Sequence, residues 1–231
     1  MLRRLRAILE FQIHATDGPL GNLRDFHFDA DTGRLKYGVA TLGFHYPWHS
    51  ILIPAAELGP PEGATCSVRV QKTCAQLRRY PPVSADPPIY YQIQQQAANF
   101  FAWAAQWTPF SGQPEPDPVF RPIPGSTRQS LRHLLGSHIE TTDGDAGLLY
   151  DLFIDPDTLC IRAIGTHAGE GKRVLVLTEF IRSISCDRRV ILLEIDRAGL
   201  VSAPEFDPLR FDDFGLEERL KAHYTRTLQH V

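Results

Sequence analysis

Residues 13–32 read IHATDGPLGNLRDFHFDADT, and residues 139–158 read IETTDGDAGLLYDLFIDPDT. At a constant offset of 126, Ile13, Thr16, Asp17, Gly18, Gly21, Leu23, Asp25, Asp29, Asp31 and Thr32 all recur. Ten identities in 20 positions at one offset exceed chance, so the chain is a tandem duplication of one small unit. Upstream, Leu5, Arg6 and Leu9 match Leu131, Arg132 and Leu135. Downstream the offset shortens by three, which aligns Ile51-Leu52-Ile53 with Val174-Leu175-Val176 and Ser67–Val70 with Val190–Leu193.

The recurring residues are turn formers. Asp in T-D-G bonds back to nearby backbone, and Gly supplies a positive φ, so Gln12 to Ala15 reads as a strand turning into a second one, Gly21 to Asp29. Asp29-Ala30-Asp31-Thr32-Gly33 then turns the chain into Arg34 to Thr41. Its counterpart Asp155-Pro156-Asp157-Thr158 gains a fixed φ from proline. Along the second strand, Leu23 falls out of phase with Phe26 and Phe28, as Leu149 does with Leu152 and Ile154. The slip falls at Asp25 and Asp151 and predicts a β-bulge in each copy. Further strands are expected at Ile51 to Pro54 and Cys66 to Val70, and at Val174 to Leu177 and Val190 to Ile195. Short helical turns at Thr73 to Arg79 and Arg197 to Val201 precede an extended, Pro-bearing tail. Five or six short curved strands in each copy predict a mainly β chain of two small barrels, closure being how such a sheet avoids exposed edges.

Composition sets outer limits. The 231 residues are 43% hydrophobic and 22% charged, an ordinary globular balance. The net charge of -3 gives no global pull toward nucleic acid or anionic membrane. Cys66, Cys74, Cys160 and Cys186 are widely spaced with no C-x-x-C pair, which disfavours a zinc cluster and suits reduced, buried thiols in a cytoplasmic protein. The opening MLRRLRAILEFQI is too short and polar for a signal peptide, and Ala97 to Trp107 is too short to cross a bilayer.

The pattern I-x-A-T-D-G-x-x-G-x-x-x-D-F-x-F-D, followed by an apolar I-L-I-P strand and an S-x-x-x-x-P-P tail, resembles the PRC-barrel superfamily. That superfamily includes the cytoplasmic domain of the photosynthetic reaction-centre H subunit and the C-terminal domain of the ribosome-maturation factor RimM. The closer likeness is to bacterial stand-alone proteins with two such units. The resemblance implies a first PRC barrel over residues 1–95, an aromatic helix and Pro-rich linker over 96–127, and a second barrel over 128–231. It implies no catalytic residue. A tryptophan common on the third strand and a W-L-P-G-R-K-like loop after it are replaced by Leu35 and Gly43–His49 in the first copy. The second copy has Ile161 and Gly169–Arg173 at those places.

No G-x-S-x-G, H-E-x-x-H, Walker loop or G-x-G-x-x-G occurs, so neither a catalytic, a cofactor nor a metal site is expected. Asp29/Asp31 and Asp155/Asp157 echo part of a calcium loop but lack its remaining ligands, and turn formation accounts for them. His45 and His49 flank Tyr46, Pro47 and Trp48 in a loop that does not preorganise a metal site. The candidate partner-binding residues are therefore Phe44, His45, Tyr46, Trp48 and His49, with Phe100, Trp103 and Trp107 on one face of an expected helix, Tyr90 to Trp107. That face either packs on its own chain or docks a partner or second protomer.

Three functions compete at this level. The first is a non-catalytic protein-interaction or assembly module, with a protein partner or self-association as a homodimer. The second is RNA or ribosome association by analogy with RimM. Against it, residues 1–95 carry ten Lys/Arg to eight Asp/Glu, and residues 126–231 carry 13 to 17, so neither half is basic. The third is a small-ligand binder using the crevice between barrels. What is not repeated, the Phe44–His49 loop and the aromatic linker, is where function is expected.

Overall fold

A computed structural model describes residues 2–42, 50–85, 128–168, 171–185, 188–207 and 215–228. The expected linker helix, the Pro-rich connection and the Phe44–His49 loop lie outside the described residues.

The protein is mainly β. The first repeat contains β1 (Arg3–Arg4), β2 (Gln12–Ala15), β3 (Gly18–Asp29), β4 (Leu35–Leu42), β5 (Ser50–Pro54), β6 (Leu58–Glu62) and β7 (Ser67–Val70), then helix α1 (Cys74–Leu77). The second contains β8 (Arg128–Ser130), α2 (Leu131–Leu134), β9 (His138–Thr141), β10 (Gly144–Asp155), β11 (Cys160–Ala168), β12 (Lys172–Leu177), β13 (Ile181–Ser185) and β14 (Val190–Leu193). Helices α3 (Arg197–Ser202) and α4 (Leu216–Leu228) follow. The duplication read from residues 13–32 is reproduced in topology: one sheet runs β5-β4-β3-β2-β7-β6 and the other β12-β11-β10-β9-β14-β13. All neighbours are antiparallel except β2 with β7 and β9 with β14.

The sheet curls into a half-barrel. Gly38 on β4 meets Leu58 on β6, although the two strands stand four places apart in the sheet order. A Cβ at Gly38 would fall 2.7 Å from Leu58 Cδ1 and 2.9 Å from Leu23 Cδ1, so a larger residue there would push these leucine side chains aside. The T-D-G turns need glycine for a different reason. Gly18 and Gly144 sit at φ of 140° and 141°, a conformation that side chains other than hydrogen resist.

The predicted bulges are present. Register slips between Leu23 and Asp25 against β4, and between Leu149 and Asp151 against β11. Four features were not anticipated. Strands β6 and β13 complete each sheet order. The two-residue arm β1 pairs with β10 of the second repeat, placing Arg3 opposite Ile154 and Arg4 opposite Phe153. Reciprocally, β8 pairs with β3 of the first repeat, placing Ser130 opposite His27. The repeats thus exchange arms, and the apolar residues of both form one continuous core.

The fourth is α4. An extended tail was expected there, but Leu216–Leu228 is helical, with Glu217 and Glu218 in its first turn, where they complement the helix dipole. Leu220 and Tyr224 bury its inner face, and Tyr224 Oη donates to Leu175 O on β12 at 2.7 Å. The cysteine expectation also needs correcting: Cys66 is exposed, because it occupies the turn between β6 and β7 at φ 47°.

Candidate functional site

Eight carboxylates recur between the copies, and six of them have a structural task. Asp17 Oδ1 accepts the backbone N–H of Cys74 at 2.7 Å, and Asp143 Oδ1 accepts that of Arg197 at 2.8 Å. These are the first residues of α1 and α3, whose leading N–H groups have no partner within the helix. T-D-G therefore caps the helix that follows each repeat's last strand, rather than serving its own turn alone. The Cys74 and Arg197 amides hold the carboxyls of Asp17 and Asp143 below the usual aspartate range.

Asp29 and Asp155 form the hairpin turns as expected. Asp29 Oδ1 accepts from Thr32 N and Oγ1, both at 3.0 Å, and Lys36 Nζ lies 3.4 Å from Oδ2. Asp155 takes Thr158 Oγ1 at 2.7 Å and Asp157 N at 3.0 Å, which lower its pKa.

Asp25 and Asp151 are the pair whose role the sequence did not disclose. A bulge strands a backbone N–H, and a buried one needs a partner. Asp25 Oδ1 accepts the bulge amide of Phe26 at 2.8 Å, and Asp151 Oδ1 that of Leu152 at 2.9 Å. The same oxygen reaches across the repeats: Asp25 accepts Arg132 N at 3.0 Å, and Asp151 accepts Arg6 N at 2.8 Å. Each carboxylate thus pins the other repeat's arm.

The second oxygen separates the copies. At one offset-related station Arg4 Nε donates to Asp151 Oδ2 at 2.9 Å, and at the other Ser130 Oγ donates to Asp25 Oδ2 at 2.5 Å. Beside Asp25 stands the buried imidazole of His27, with Nε2 at 3.6 Å, where the second repeat has Phe153. Burial pushes the Asp151 carboxyl above its ordinary value, outweighing Arg4 and the two amides that favour its charge. Ser, His and Asp meet here, but the carboxylate lies between the other two. The serine also accepts His133 N as a helix cap, so the arrangement joins elements rather than activating a nucleophile.

The hairpins also meet. Leu35 N donates to Leu159 O and Ile161 N to Gly33 O, both at 2.8 Å, around the offset-related pair Arg34 and Cys160. Gly33 and its counterpart Leu159 both take positive φ, 63° and 57°.

Next to this junction is a cavity of about 290 Å³. Leu23 and Phe26 form its floor, Leu58 and Val68 a wall of the first repeat, and Ile154 and Leu159 close it from the second. Half-buried Arg3 is the charged residue among those lining it. The crevice between repeats therefore carries an apolar site rather than converging polar groups. Tyr150 is set in a separate buried environment that raises its phenol to about 12.

The eight candidate partner-binding residues, Phe44, His45, Tyr46, Trp48, His49, Phe100, Trp103 and Trp107, lie outside the described residues. Among the described residues no cluster of three or more His, Cys, Asp or Glu could hold a metal ion, and no helix is long and apolar enough to cross a membrane. No family model matches the chain, and no curated protein matches it.

Proposed function

We propose that this chain is a non-catalytic interaction or assembly module, built from two PRC-type barrels in tandem and acting through a protein partner or a second copy of itself. One observation carries the reading. Six of the eight recurring carboxylates are spent on helix starts, hairpin turns and arm exchange, all of which hold the scaffold together. Residues kept alike between the copies thus build the frame. Binding then falls to residues that differ, such as the Phe44–His49 loop, whose counterpart in the second repeat is short and basic.

The test compares the full chain with a Phe44→Ser/Tyr46→Ser/Trp48→Ser variant. Sedimentation velocity over a range of concentrations reads self-association, and cross-linking in native lysate reads partners. The reading predicts an assembly or a reproducible cross-linked partner that the variant loses. A wild-type chain that stays monomeric, with a cross-linking profile identical to the variant's, contradicts it.

A further inference from the structure

We infer that the cavity between the repeats is a binding site for one small amphipathic carboxylate, its apolar tail inside and its anionic head at Arg3. Three observations support this. Leu23 and Phe26, core residues at 0% and 1% exposure, are among those around the cavity, so it backs onto the packed interior of the half-barrel. The mouth of a small barrel is a common ligand position, and about 290 Å³ suits a single small molecule.

The cavity also sits where the copies differ. Strand β6 reads Leu58-Gly59-Pro60-Pro61-Glu62, with Pro61 opposite Val68, while β13 in the same register places Ile184 opposite Ile191. Ile184 packs against the core. Pro61 instead lines open space, and proline is tolerated because β6 ends the sheet order.

Charge indicates the ligand's other end. Of the three arginines in the N-terminal arm, Arg4 is bound to Asp151 and Arg6 donates to Tyr150 O. Arg3 lines the cavity and has no carboxylate partner among the described residues. An arginine lining an apolar space favours a molecule with an anionic head and a hydrocarbon body, since carboxylate pairs well with its planar donor fork.

The test is calorimetric titration of the full chain with decanoate and, separately, with decan-1-ol. Saturable one-to-one binding of decanoate is expected. Arg3→Gln should weaken it about tenfold, the scale of one charge-assisted contact, while leaving decanol unchanged. Pro61→Ile copies the sister strand, and Leu58→Trp fills the wall. Either, with an unchanged circular dichroism spectrum, should remove binding of both ligands. Absence of saturable decanoate binding at millimolar concentration overturns the inference. So does binding that Arg3→Gln and both filling variants leave intact.

Discussion

Asp25 and Asp151, 126 positions apart, perform the same exchange in opposite directions: Asp25 holds the backbone of Arg132, and Asp151 holds that of Arg6. The two carboxylates bridge the bulge of one repeat to the arm of the other. Tandem duplication has thereby produced an interlocked pair in which each sheet is completed by its sister.

Removing one side of this lock should be costly. Asp151→Ala leaves the amides of Arg6 and Leu152 without their acceptor and Arg4 beside a cavity. A loss of about 3–5 kcal/mol is expected, as for breaking a buried pair by deleting one partner. Asp151→Asn keeps an acceptor for the amides and should cost less. Urea unfolding followed by tryptophan fluorescence measures both, and equal costs for the two variants would refute the amide bridge.

The station beside Asp25 makes the opposite prediction. His27 Nδ1 is buried and has no hydrogen-bond partner among the described residues, and the sister repeat places Phe153 there. His27→Phe removes an unsatisfied polar atom, worth about 1 kcal/mol or more of stabilisation when the ring fits. A thermal melt at neutral pH should show an unchanged or higher midpoint, and a marked fall would show that the imidazole supports Asp25.

Acid should loosen the helix starts. The pKa values of Asp17, Asp143 and Asp155 lie below the ordinary 3.8 in the folded chain, so the stability they contribute is present above 3.8. It is lost as pH falls through their folded values. Asp151, raised by burial, works the other way, since its charging opposes folding as pH rises. The Asp17→Asn/Asp143→Asn variant keeps an acceptor at both caps but does not titrate. Its unfolding free energy should fall less steeply than the wild type's below about pH 4, the region where carboxylates protonate. Parallel acid limbs would argue against the caps.

Helix α4 is anchored through a buried inner face, which can be tested residue by residue. Tyr224 is fully buried and donates to Leu175 O, and Leu220 is 1% exposed. Tyr224→Phe should cost about 1–2 kcal/mol for the stranded carbonyl, and Leu220→Ala about 2–5 kcal/mol for the cavity. Amide hydrogen exchange should report both as lost protection in residues 216–228. If protection there is unchanged, the helix is anchored by other groups.

Much of this fold was legible because turns and bulges are local. Asp29 to Thr32, the T-D-G glycines and the phase slip at Asp25 each depend on residues within a few positions, and each formed as read. The arms were not legible. Arg3–Arg4 is too short to show a strand period, and its partner lies about 150 positions away. The repeat did recur at Asp25 and Asp151, but a recurring bulge residue looks the same whether its carboxylate faces solvent or another backbone. Helix α4 has a local signal of its own: Leu216, Leu220 and Tyr224 fall at four-residue spacing, with Glu217 and Glu218 in the first turn. The cavity was hidden because its walls come from both repeats, and only the register of β6 against β13 sets Pro61 apart from Ile184.

The interlock itself is tested most directly by hydrogen exchange on a chain lacking residues 2–4, which form β1 and the Arg4 ion pair. Exchanged arms predict faster exchange at Leu152 to Ile154 in the second repeat, more than 140 positions from the deletion, with strand β5 of the first repeat little affected. Loss of protection confined to the first repeat, with β10 unchanged, would contradict the interlock.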